Sequence, residues 1–326
     1  MSDAAPSPAP SGLPRLPLRG PRVVGASESI LDQVGNTPLI RIHLFAESHP
    51  GVEFYAKAEW FNPGGSVKDR PAKRMIEEAE RSGALTADKV VIDSTSGNTG
   101  IGYALVAAAK GYRLKLVMPG NVSKERIETV RAFGAEIVFS DPGEGSDGAI
   151  VLCRQILADD PERYFMPDQY NNPDNPLAHY HTTAPEIWEQ TGGRITHFVA
   201  GLGTSGTLVG TGRRLHELNP AITVVAAQPS SAWHGLEGLK HIPTAIRPGI
   251  YDETVHDLLV DVETEPAYDL ARRLARTEGI LVGHSCGAAL WAAGEVARGL
   301  SQGVVVMIFP DGGDRYLSAG LYVPRV

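Results

Sequence analysis

VVIDSTSGNTGIGYALVAAAKGYRLKLVMPG, Val90 to Gly120, decides the fold. An apolar β-branched run closes on a Ser, Thr and Gly cluster, and small residues then continue for several helical turns. A second apolar run follows from Arg113. Strand, helix and strand in that order, with nearly continuous apolar strands, suit parallel strands buried on both faces. The pattern extends downstream. SKERIETVRAFG (Ser123 to Gly134) reads as a capped helix and AEIVFS (Ala135 to Ser140) as the next strand. THFVAGLGTSGT (Thr196 to Thr207) leads into the helical LVGTGRRLHEL, and TVVAAQP (Thr223 to Pro229) and VVVMIFPDGG (Val304 to Gly313) are further buried strands. Alternation of this kind places the chain in the α/β class with mainly parallel twisted sheets. No internal repeat at a fixed period is present.

Composition narrows the function classes. The chain has 326 residues, with 42% hydrophobic and 21% charged, as in ordinary globular proteins. A net charge of -8 argues against a nucleic-acid partner, which needs a basic face. Two cysteines, Cys153 and Cys286, form neither a disulfide framework nor a metal-ligand spacing, so no metal site is expected and a reducing cytoplasm is the simplest location. No apolar run reaches the roughly 20 residues that span a bilayer, so no membrane association is expected. Residues 1–27, MSDAAPSPAPSGLPRLPLRGPRVVGAS, lack the apolar core of a secretory signal. A disordered Pro/Ala-rich arm is expected there, ahead of an organelle transit peptide, because the prolines oppose an amphipathic helix.

Four segments carry chemistry. NPGGSVKDR (Asn62 to Arg70) runs a Gly-Gly-Ser turn into a helix and places Lys68 in its first turn. The helix dipole there favours an anion and eases loss of the ammonium proton, so Lys68 is either a Schiff-base former or one more solvated lysine. STSGNTG (Ser94 to Gly100) offers hydroxyls, an amide and backbone N–H groups to a carboxylate, or is a plain helix cap. GLGTSGT (Gly201 to Thr207) forms a phosphate cradle ahead of a helix and matches neither G-x-G-x-x-G nor the P-loop. A single phosphate therefore suits it better than a nucleotide. In GHSCGA (Gly283 to Ala288) a strand over ILV meets an Ala-rich helix, and Ser285 can meet a heterocycle nitrogen. Cys286 lacks the His and acid that would make it a nucleophile, and His284 points elsewhere if the local chain is extended.

Taken together and in this order, the segments resemble the fold-type II pyridoxal-phosphate (PLP) enzymes of the cysteine synthase and cystathionine β-synthase family. The resemblance begins at GNTPLIRI (Gly35 to Ile42), includes KGYRLKLVMP and DQYNNPDNPLAHY, and ends at DGGDRYLS. It implies the tryptophan synthase β-like fold, two three-layer α/β domains with PLP in the cleft between them. The smaller, mobile domain is expected over 62–169 and the larger, phosphate-binding one over 28–61 plus 170–326. Carried over by position, the resemblance makes Lys68 the covalent PLP lysine and sets Asn98 on the ring hydroxyl. It puts Gly203, Thr204, Ser205, Gly206 and Thr207 on the phosphate and Ser285 at the pyridine nitrogen. Thr95, Ser96, Gly97 and Thr99, with Gln169 opposite, would hold the substrate carboxylate.

The implied reaction is β-replacement on an activated serine by a sulfur nucleophile, through an aminoacrylate, to give L-cysteine. DQYNNPDNPLAHYHTTAPEI resembles cystathionine β-synthases, whereas VVAAQPSSAWHGLEGLKHIPTAIRPGIYD (Val224 to Asp252) resembles B-type cysteine synthases. The second stretch lies where the sulfur donor enters and carries more weight. Ser230 and Ser231 stand where phosphoserine-using relatives place an Arg, so O-acetylserine is the expected donor. Condensation of serine with homocysteine, O-phosphoserine sulfhydrylation, a serine or threonine dehydratase and a non-enzymatic PLP-fold protein are the alternatives. A homodimer is expected from the resemblance and from the frequency of symmetric dimers.

Overall fold

The computed structural model describes residues 27–322 except 96, 121 and 319. The expected arm thus lies outside the described residues, apart from Ser27. In chain order, β1 (Leu39–Ile42) and β2 (Val52–Ala58) precede helix α1 (Asp69–Ser82). Next come β3 (Val90–Ser94), α2 (Asn98–Lys110), β4 (Arg113–Pro119), α3 (Lys124–Ala132), β5 (Glu136–Ser140), α4 (Gly145–Asp159) and β6 (Tyr164–Phe165). Helices α5 (Asp174–His181) and α6 (Thr183–Gln190) lead into β7 (His197–Gly201), α7 (Gly206–Leu218) and β8 (Thr223–Pro229). Then follow β9 (Leu258–Val262), α8 (Thr264–Glu278), α9 (His284–Ala297) and β10 (Gly303–Phe309).

The strands form two sheets. One has the order β1-β2-β10-β7-β8-β9 and is parallel except for β1, which runs antiparallel to β2. The other, β5-β4-β3-β6, is parallel throughout. Alternating side chains send each strand's apolar residues to opposite faces, which is why the runs are continuous. In the smaller sheet Val91, Leu114, Leu116 and Met118 pack with α1 and α2 residues, whereas Val90, Ile92 and Val117 pack with Ala149 and Cys153 of α4. In the larger sheet Val199, Val225, Val305 and Met307 meet α8 and α9, while Phe198, Val224, Val306 and Ile308 meet α6 and α7. Each sheet is therefore the middle of three layers.

Small residues set the helix contacts that aim the site. Gly210 of α7 packs against α5 so closely that a Cβ would lie 1.9 Å from the Pro176 carbonyl oxygen. Backbone cannot yield at that distance, so overpacking outweighs the ~1 kcal/mol helix-propensity gain of alanine. Gly210→Ala is expected to lose about 1–2 kcal/mol net in a urea titration. A variant as stable as the wild type would mean that the α5–α7 contact is looser than described.

Three local expectations are corrected. Lys68 is the N-cap of α1, one residue before the first turn, with Pro71 in that turn, where a missing N–H costs nothing. Ser123 occupies the α3 N-cap, but its side chain caps nothing. The strand expected at Ile280 to Val282 reduces to a single bridge, Val282 to Gly312, because Gly283 ends it and α9 starts at His284.

Candidate active site

The four chemistry-bearing segments become the N-termini of α1, α2, α7 and α9. Helix N-termini present unpaired N–H groups and a positive dipole end, so this arrangement favours anions. Lys68, Thr95, Gly97, Asn98, Thr99, Gln169, Gly203 and Thr204 line one cleft of about 180 Å³, together with Tyr170 and Lys240. Ser205, Gly206 and Thr207 continue from Thr204 into α7, and Ser285 is the second residue of α9. Ser96 lies outside the described residues.

The Lys68 turn is held from several sides. Ser66 bridges Asp311, Val67 N–H donates to the Pro310 carbonyl, and Lys68 N–H donates to Ser66 Oγ at 3.2 Å. Asp69, buried and pushed up to about 7, accepts the Gly64 N–H. Burial drives the Lys68 ammonium below its usual range, and the charge of Asp311 opposes this. Desolvation thus favours the neutral amine, the form that acts as nucleophile and base.

On the opposite wall Thr95 Oγ1 accepts the N–H groups of Gly97 and Gly100, both at 3.3 Å. Thr99 Oγ1 donates to Gln169 Oε1 at 2.7 Å, and Gln169 Nε2 reaches the Ser94 carbonyl at 3.5 Å. Asn98 is clamped at both ends of its amide. Its Nδ2 donates to Asp311 Oδ2 and its Oδ1 accepts from Arg315 Nη1, each at 2.6 Å. One Nδ2 hydrogen remains for another acceptor.

Ser205 takes a left-handed conformation (φ 74°), is 3% exposed, and its hydroxyl lacks a partner among the described residues. Thr204 Oγ1 accepts from Asn175 Nδ2 (3.2 Å) and from Gly206 N–H (3.4 Å). A Cβ on Gly206 would sit 2.0 Å from Asn175 Oδ1, so any larger residue would have to push the Asn175 amide off Thr204. Thr207 Oγ1 lies 3.3 Å from Nε2 of His179, whose burial lowers it to about 3 and keeps it neutral.

Ser285 is buried beside Cys286. The Cys286 thiol donates to the Asp311 carbonyl (3.5 Å), and burial pushes it well above its usual range, so it is a neutral filler and no nucleophile. His284 is helical rather than extended. It stacks on Tyr268 (4.9 Å) and meets Tyr316 edge-on (4.5 Å), away from the cleft lining. Sequence reasoning assigned no role to Asp311, Arg315 or Tyr316, although DGGDRYLS contains all three. It also missed Arg126 of α3, which pairs with Glu237, lies over the Tyr316 ring and ties the smaller sheet's layer to the larger.

The family described as pyridoxal-phosphate dependent enzyme matches residues 30–311. The chain belongs to this family. Among relatives of this PLP-dependent enzyme, a cysteine synthase of Aquifex aeolicus is 54% identical over 303 residues, 91% of this chain and 93% of that protein. Cysteine synthase B of Escherichia coli is 45% identical over 295 residues, covering 90% and 96%. The crystal structure of a cysteine synthase from Entamoeba histolytica superposes with a TM-score of 0.89 at 34% identity, covering 96% of this chain and 95% of that one. The two-sheet α/β architecture is that of the fold-type II PLP enzymes. The residues present fit PLP: a desolvated lysine, a clamped amide and the Gly203–Thr204 turn line one cleft, and the next residue, Ser205, carries an orphaned hydroxyl at the α7 N-terminus. Among the described residues there is no cluster of three metal-ligating side chains and no helix long and apolar enough to cross a membrane.

Proposed function

We propose that this PLP-dependent enzyme synthesises L-cysteine from O-acetylserine and a sulfur nucleophile. The observation that carries the reading is Lys68, desolvated and set between an anion cradle on α7 and a second anion receptor on α2. Lys68 would hold the cofactor covalently. Gly203 to Thr207 would bind its phosphate, Asn98 its ring hydroxyl and Ser285 its ring nitrogen. When bound, PLP supplies an electron sink for the substrate carbon that loses its proton. A neutral Ser285 hydroxyl, in place of a carboxylate, keeps that sink moderate, which suits prompt loss of a β-substituent. Thr95, Gly97, Thr99 and Gln169 would grip the substrate carboxylate, and Ser96 is the sequence-based addition to that set. Lys68 Nζ then takes the α-proton, holds it while the β-group leaves, and returns it once sulfur has added.

The smaller unit is taken as 62–169, closing toward the larger over bound substrate. The Arg126–Glu237 pair supports this, since it joins α3 of that unit to the loop after β8. Acetate is favoured over phosphate as leaving group because Ser230 and Ser231 offer no bidentate cation. A cytoplasmic homodimer completes the reading, supported by the low cysteine content and by the prevalence of symmetric dimers.

The product decides among the alternatives. Purified enzyme given O-acetylserine and sulfide is expected to release cysteine, quantified by amino-acid analysis. Pyruvate formed with no thiol present, at a rate matching total turnover, would make it a dehydratase instead.

A further inference from the structure

One residue before Ser94, whose carbonyl meets Gln169 Nε2 of the proposed carboxylate receptor, stands a buried acid. Asp93, in β3, is 2% exposed, and its Oδ1 accepts the Ser94 N–H at 2.8 Å. Its Oδ2 is buried without a hydrogen-bond partner among the described residues, and so is the hydroxyl of Tyr103 on α2. The two groups nonetheless influence each other, as does the Gln169 N–H from the segment after β6. The carboxyl thus sits against the backbone of Ser94 and Gln169, which flank and supply the receptor. The other titratable groups facing it are Asp168 and Tyr170 from that same segment and Cys153 from α4. Among the described residues no Lys or Arg side chain pairs with Asp93.

An amino-acid substrate brings an ionised carboxylate to the receptor that Thr99 and Gln169 form beside Ser94. Two carboxylates sharing a desolvated site with no cation between them do not both stay ionised. We propose that Asp93 is a positioning residue for the substrate carboxylate and takes up one proton from solvent when that carboxylate binds. The inference rests on the reading of Thr95, Gly97, Thr99 and Gln169 as the receptor. The proton goes to Oδ2, the oxygen without a hydrogen-bond partner among the described residues, while Oδ1 keeps the Ser94 N–H. Burial already holds the Asp93 carboxyl at about 7, so free enzyme near neutrality contains both forms and the arriving charge selects the neutral one.

The test compares holoenzyme with Asp93→Asn, a permanently neutral stand-in. L-serine, which carries no acetyl leaving group, is titrated for affinity against the visible cofactor band from about pH 6 to about pH 8.5, and O-acetylserine is added in parallel without sulfide. The ratio of variant to wild-type affinity cancels the titration of the ligand itself. It is expected to be near one at about pH 6 and to climb by up to ~10-fold per pH unit above about 7. Calorimetry in two buffers of different ionisation enthalpy is expected to show proton uptake by the wild type and less by the variant. A ratio that is flat or falls with pH, or equal uptake by both, overturns the proposal. Should Asp93→Asn fail to fold, Tyr103→Phe removes a hydroxyl that lowers the Asp93 pKa, so the wild-type break should move to higher pH. An unmoved break also overturns it. A wild type that answers L-serine and ignores O-acetylserine refutes the donor and leaves the Asp93 comparison intact.

Discussion

Lys68→Ala is expected to lower turnover by ~10⁴-fold or more, since it removes both the covalent attachment of the cofactor and the proton carrier. The fold should survive. Lys68 sits at the α1 N-cap without a side-chain cap bond, and losing a desolvated ammonium relieves an unfavourable burial. Steady-state assay with sulfide, alongside a thermal melt, checks both halves. A variant within tenfold of wild type would remove Lys68 from the chemistry. Lys240, the other amine lining the cleft, lies 5.1 Å from the Tyr170 ring centroid, on the wall formed by Gly238 and Leu239.

Arg70→Ala is expected to cost about 3–5 kcal/mol of stability, the loss typical of stranding a buried charge. Arg70 forks onto Glu59 through Nε (2.7 Å) and Nη2 (2.8 Å), and onto Glu186 through Nη1 (2.7 Å) and Nη2 (2.8 Å). Lys57, also buried, pairs with Glu186 at 2.6 Å, and Thr37 and Asn62 donate to Glu59. Without Arg70, Glu59 would keep neutral donors but no direct cation. Glu186→Gln should be milder, because Arg70 retains Glu59. The network also sets a pH dependence. Arg70 and Lys57 pull Glu186 from 4.5 down to about 2, against the opposing effect of burial. A depressed carboxyl stabilises fully above its unfolded value, and that contribution is lost as pH falls from about 4.5 through about 2. Urea titrations of wild type and Glu186→Gln over this window should converge as pH falls. Parallel curves would mean that the pair contributes nothing measurable.

Much of the fold was legible because buried parallel strands leave a local signature. Val90 to Ser94, Arg113 to Pro119 and Thr223 to Pro229 read as strands, since residues facing either helix layer must be apolar. The site was legible where chemistry lies in contiguous segments, and eight of the expected residues do line one cleft. What stayed hidden depends on partners distant in sequence. The Asn98 clamp uses Asp311 and Arg315, more than 200 residues away, and no local pattern selects them. Ser123 has the identity of a cap without its geometry. Cys286 lacks a nucleophile's partners in the sequence already, but its burial and its bond to the Asp311 carbonyl depend on a partner 25 residues away. Asp93 reads as a polar interruption at the end of a strand, and only the fold brings Gln169 and Tyr103 against it.

The most direct test of the account is the visible spectrum of the purified protein during sequential additions. The cleft described here predicts a yellow protein whose band is displaced by O-acetylserine alone and restored by sulfide, with cysteine appearing as it returns. A colourless protein that gains no absorbance with added PLP would contradict the assignment of Lys68 and of the cleft itself.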